Sequence, residues 1–140
     1  MKTAKQIQGD IIEMLKGTQL AKAVTGKIYR DGYRPRDSEK EDIIVTFTTG
    51  INAEIQQGTV TINVYVADKD FFANGVFAEN GKRTAELELL AQKWVDELTA
   101  IKSDYLFELQ QTIYTESADD IKQHFVVVRL GYKIFELSNN

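Results

Sequence analysis

The chain has 140 residues, 43% hydrophobic and 27% charged, a balance that buries a core and lies far from disordered composition. Seventeen Lys and Arg stand against 21 Asp and Glu, a formal net charge of −4, so no global basic field attracts nucleic acid. Cysteine is absent, which excludes disulfide frameworks, thiolate nucleophiles and cysteine-based metal sites.

Residues 3–17 predict a helix, because Ile7, Ile11, Met14 and Leu15 recur at spacings of three and four and Gly17 is a natural stop. Gly9 inside it costs about 1 kcal/mol relative to Ala, so the helix depends on tertiary packing. Gly26–Arg30 reads as a small strand. Residues 31–40 then form a polar loop, stiffened at its middle by Pro35, the one proline of the chain. Two strands follow with period-two alternation: Ile43, Val45 and Phe47 share one face of the first, and Val60, Ile62, Val64 and Val66 one face of the second. Their connection, Thr49–Gly58, is too long for a tight hairpin and predicts an extended loop or a projecting arm.

A second long connection, Asp68–Lys82, carries the turn signals Asn74-Gly75 and Asn80-Gly81. An amphipathic helix is expected over Thr84–Lys102, with Leu87, Leu90, Ala91, Trp94, Leu98 and Ile101 as its apolar stripe. Two long strands, Tyr105–Glu116 and His124–Leu137, complete the pattern around a turn at 117–120. The second is apolar on both faces, with Phe125, Val127 and Phe135 opposite the main stripe, which marks a central or doubly covered strand. The order α-β-β-β-α-β-β reads as a single α+β domain over residues 1–140. It implies one mixed or antiparallel sheet of about five strands, with two helices packed on it.

Chemistry-bearing motifs are sparse. No glycine-rich phosphate loop, GxSxG elbow or HExxH occurs. The single histidine, His124, reads as an ordinary half-exposed residue. Asp68-Lys69-Asp70 and Asp119-Asp120 are too short of ligands for a cation loop and read as turn residues. These patterns imply no catalytic residues, no metal and no cofactor. Behind Met1 there is no apolar run of signal-peptide or membrane-span length, so synthesis in the bacterial cytoplasm without membrane association is the expectation.

Two kinds of segment stand out as contact surface instead. Loop 31–40 interleaves Arg34 and Arg36 with acids and adds Tyr33, and Arg and Tyr are favoured at interface hot spots. Its acids cancel the local field, which argues against nucleic acid. The connections carry surplus apolar residues, Ile51 and Ile55 in the first and Phe71 and Phe72 in the second, that either fold back as lids or cover a neighbouring subunit.

Taken with these elements, Gly26-Lys27-Ile28-Tyr29 and Arg34-Pro35 precede the strand Glu41-Asp42-Ile43-Ile44-Val45. The strand Gly58–Val66 and the amphipathic helix with two strands come after it. This arrangement resembles the tail completion (tail terminator) and neck proteins of long-tailed phages and prophages. The resemblance implies a structural protein that forms a ring, commonly of six copies, on the end of the tail tube and helps to join tail to head. It brings no cofactor and no catalytic residue, and for a phage-derived chain it places the protein in the virion. Read from the residues alone, a bacterial protein-binding module of immunity or adaptor type and a small carboxylate-using hydrolase remain alternatives.

Overall fold

The computed structural model describes residues 1–101 and 103–135. Helix α1 (Ala4–Leu15) starts at a capping box, in which Thr3 accepts from the Gln6 amide while the Gln6 side chain accepts from the Thr3 amide. A short helix α2 (Gln19–Ala23), capped by Thr18, follows. Strands β1 (Ile28–Arg30), β2 (Ile43–Ile51) and β3 (Gln56–Ala67) lead into the long helix α3 (Gly81–Ala100). Strands β4 (Tyr105–Leu109), β5 (Tyr114–Ala118) and β6 (Gln123–Ile134) end the described chain.

All six strands lie in one sheet of order β1-β2-β3-β6-β4, with β5 beside β4 along the same edge of β6. β1 runs parallel to β2 and every other pairing is antiparallel, so the sheet is mixed. The expected α+β class, with one sheet beneath helices, is what the chain adopts.

Two elements differ from the sequence expectation. Helix α2 adds a third helix, too short to show a periodic stripe. The predicted strand Tyr105–Glu116 is two strands, because Leu109 pairs with Leu130 and Tyr114 with Val127. Four residues on one side therefore face two on the other, the chain bulges, and the bulge drops Ile113 into the core. The predicted helix end at Lys102 and residues 136 and 137 of the last predicted strand lie outside the described residues.

The core lies between the helices and one face of the sheet. Ile7, Ile11 and Leu15 of α1 and Leu87, Ala91, Trp94 and Leu98 of α3 cover Ile43, Val45, Ile62, Val64, Val126, Val128 and Leu130. Ile101, expected in the α3 stripe, lies past the helix end and is exposed. β6 is flanked by strands on both edges. On its second face Val127 is buried and Phe125 packs against Tyr65, ring centroids 5.1 Å apart, while Phe135, just past the strand, is partly exposed. That second face belongs to the open side of the sheet, where Thr46, Thr61, Asn63 and Tyr65 stand without a helix over them.

β2 and β3 form a hairpin with its tip at residues 52–55. β3 stays paired with β6 as far as Gln56, so residues 49–51 and 56–58 belong to the sheet and the expected extended loop or projecting arm is a short turn at the sheet's end. The hairpin packs closely at Gly58, where an added Cβ would come within 2.1 Å of the Thr49 carbonyl oxygen and 2.7 Å of the Tyr132 hydroxyl. Beside the tip Gln56 exchanges two hydrogen bonds with the backbone of Lys2, 3.0 and 2.7 Å.

Candidate functional site

Arg34 departs most from the sequence expectation. Its side chain is turned inward, 12% exposed, and its Nε donates at 2.9 Å to Asp42, whose side chain is 2% exposed. Its Nη2 donates to the carbonyls of Ser38 and Lys40 and, at 2.8 Å, to the Gln123 side chain, while the guanidinium stacks 4.2 Å from the Tyr65 ring. Gln123 in turn donates to the Ser38 carbonyl. Loop 31–40 is thus stapled to the far end of β6, and Arg34 is a structural anchor, because a guanidinium with this many internal acceptors is not offered to a partner.

Burial alone would raise the Asp42 carboxyl. Hydrogen bonds from the Ser38 hydroxyl, Arg34 and the Lys27 amide outweigh that and hold it below the usual carboxylate range. Tyr33 and Arg36 stay on the exposed rim of the same loop. Below them a groove of about 570 Å³ opens on the bare sheet face, lined by Arg34, Ile44, Thr46, Asn63, Tyr65 and Asp120. Asn63 Oδ1 is buried and, among the described residues, accepts no hydrogen bond.

The second connection has a different construction. From Asp68 to Asn80 the chain makes a closed loop whose two sides are bridged by reciprocal backbone hydrogen bonds of 2.9 Å between Lys69 and Ala78. Asp70 is the internal cap: one carboxylate oxygen accepts from the Asn74 amide (3.0 Å) and the other from the Gly75 amide (2.9 Å). The turn passes through Gly75 at φ 80°, a conformation that favours glycine. The Asp68-Lys69-Asp70 run is therefore turn chemistry, as read from sequence.

This well-bonded loop presents four large apolar side chains to solvent: Phe71 (54% exposed), Phe72 (84%), Val76 (65%) and Phe77 (44%). None folds back as a lid. Lys69 Nζ sits 5.9 Å from the Phe71 ring centroid and Lys122 Nζ 4.8 Å from that of Phe77.

His124 secures the base of the loop. Its Nδ1 is 2.6 Å from Asp68, the first loop residue, and its Nε2 is 3.8 Å from Glu79, near the last, whose carboxylate also accepts from the Thr84 hydroxyl at 2.6 Å. The sequence reading of His124 as an ordinary half-exposed side chain is thereby corrected: it is mostly buried between two carboxylates contributed by opposite ends of one loop. Sequence reasoning missed this because Asp68 and Glu79 lie 56 and 45 positions away, and only the β3–β6 pairing of Val66 with His124 brings Asp68 alongside. Among the described residues no group of three or more His, Asp or Glu side chains is placed to hold a metal ion, and no helix is long and apolar enough to cross a membrane.

The hairpin tip is the second exposed apolar site. Ile51 (61% exposed) closes β2, Ile55 lies just before β3, and Leu106 on β4 shares a groove of about 350 Å³ with Ile51. Tip and aromatic loop sit at the two ends of β3, whose 12 residues separate them by about 40 Å.

Carboxylates also line one shallow groove, formed by Asp10, Glu13 and Asp104 with Tyr105. There Asp10 accepts from the Tyr105 hydroxyl at 2.6 Å and pairs with Lys2, and Glu13 pairs with Lys16. Burial, then the Asp10 carboxylate, pushes the Tyr105 phenol well above its ordinary range, so it remains protonated and donating.

No family model matches the chain, and no curated protein matches it. A solved structure whose name states no function is similar to it with a TM-score of 0.51 and 12% identity, covering 99% of this chain and 100% of that one. At that identity the likeness establishes a shared fold along the whole chain and nothing further.

Proposed function

We propose that this chain is a structural assembly protein of the tail or neck of a long-tailed phage or prophage, self-associating into a ring and docking to tail proteins. The observation that carries the reading is the aromatic loop: an ordered, internally bonded loop that holds Phe71, Phe72, Val76 and Phe77 in solvent. Exposed apolar side chains on a rigid frame mark a protein contact, since a monomer gains nothing from ordering them outward.

Two further features support assembly. The β2–β3 hairpin tip, at one end of the sheet, exposes Ile51 and Ile55. The apolar sites lie on opposite ends of the molecule and are unlike one another, and unlike complementary patches generate rings when the rotation between copies closes. The resemblance in the segments 26–29, 34–35, 41–45 and 58–66 supplies the tail and neck assignment, and catalysis has no part in this reading.

The test mixes purified protein with phage tail tubes and examines them by negative-stain microscopy. Rings capping tube ends are the expected result. Protein that stays monomeric at high concentration and binds no tail component would overturn the proposal.

A further inference from the structure

We infer that the ring contact is head-to-tail: the hairpin tip of one copy, carrying Ile51, Ile55 and Glu54, seats on the aromatic loop of the next, between Lys69 and Lys122. This contact rests on the self-association proposed above and names the surfaces that make it.

The argument begins with charge. At the aromatic end the carboxylates of the loop itself are turned to internal partners: Asp68 to His124, Asp70 to the Asn74 and Gly75 amides, Glu79 to Thr84 and His124. Asp119, in the adjoining turn, is exposed. Asp120, next to it, lines the Tyr65 groove on the open sheet face. The ammonium groups of Lys69 and Lys122 rest over the faces of Phe71 and Phe77, so the aromatic surface carries a cationic rim. At the tip itself the charged residue is Glu54, exposed between Ile51 and Ile55, while Lys133 lies two strands away along the Ile51 groove.

These rims decide between symmetric and head-to-tail pairing. Loop against loop would set Lys69 and Lys122 against their own copies, and tip against tip would set Glu54 against Glu54. The crossed arrangement brings the Glu54 carboxylate to the Lys69 and Lys122 ammonium groups while burying Phe72 and Val76 against Ile51 and Ile55. Shape agrees with charge. The tip is narrow, four residues between two strands, whereas the loop spreads four apolar side chains over a bonded frame. Because β3 joins the two sites as one continuous strand about 40 Å long, each copy transmits a fixed angle to the next, which a closing ring requires.

The test uses the full chain with Phe72→Ser, or with Ile51→Ser and Ile55→Ser together. The altered side chains are exposed, so the fold is expected to stay intact, and circular dichroism verifies it. Each variant alone should lose self-association by about tenfold or more in dissociation constant. An equimolar mixture regains one intact interface and should give dimers and nothing larger by sedimentation velocity. A second readout exploits the absence of cysteine: a chain carrying both Ala53→Cys and Val76→Cys should cross-link into a ladder of multimers under mild oxidation.

A tip variant that assembles like the parent while Phe72→Ser does not would overturn the crossed contact in favour of loop-to-loop pairing. Failure of the cross-linking ladder in a protein that still oligomerises, or a parent protein that is monomeric at every concentration, would overturn it too. Rings that form through this contact yet ignore tail tubes would instead sink the tail assignment and leave the contact standing.

Discussion

At the scale of single residues, Arg34 and Asp42 show how a loop arginine becomes architecture. Removing one partner of a buried pair leaves the other charge uncompensated, and Arg34→Ala is expected to cost about 3 kcal/mol in urea unfolding. The same substitution should leave self-association of the folded protein unchanged, whereas Phe72→Ser should do the reverse. Asp42 also sets an acid limit. Its folded-state carboxyl lies below the value of 3.8 for a free side chain, so the folded protein takes up the proton less readily than the unfolded chain. The pair's stability is then fully present above about pH 4 and is lost as pH falls through the lowered folded-state value. In Asp42→Asn the decline of the urea midpoint as pH falls below about 4 should be shallower than in the parent.

Elements carry the next set of expectations. The aromatic loop is held at three places: the Lys69–Ala78 bridge, the Asp70 cap and the His124 clasp. His124→Ala removes the last of these, and amide exchange at Lys69 and Ala78 should quicken while that of Ile62 and Val64 in β3 stays slow. In the β2–β3 hairpin, Gly58→Ala drives a Cβ into the Thr49 carbonyl and the Tyr132 hydroxyl. It should cost about 1–3 kcal/mol, with exchange rising first along residues 49–58.

Much at this scale was legible in the sequence, for a physical reason. Ile7, Ile11 and Leu15, and then Leu87, Ala91 and Trp94, each fill a face that the helical period defines by itself, and the β2 and β3 alternation defines a sheet face in the same way. What escaped depended on partners distant in the chain. The inward turn of Arg34 requires Gln123, 89 positions away, and His124 requires both ends of a loop. Even the bulge that splits the strand after Leu109 has a distant partner: it fits Gln110 over Gly131, where any Cβ would strike its side chain at 2.9 Å. Phe71 and Phe72 were legible as surplus apolar residues, but not the hydrogen bonds that keep them in solvent.

The whole molecule is organised around one strand. β6 pairs with β3 along its full length on one side and with β5 and β4 on the other, so a core defect there should be felt everywhere. Leu130, fully buried and facing Val60 across the sheet, gives the direct check: Leu130→Ala is expected to cost about 3 kcal/mol and to lower the thermal midpoint in one cooperative step.

That arrangement has a consequence for synthesis. β6 follows all its neighbours in chain order, so a ribosome releases β3 with its inner edge bare and delivers the occupant of that gap some 60 residues later. During that interval the nascent chain offers a long border, rich in Val and Thr, to any other nascent copy. Crowded expression should therefore favour inclusion bodies, and slowing translation or lowering temperature should raise the soluble yield without any change in the stability of the finished protein.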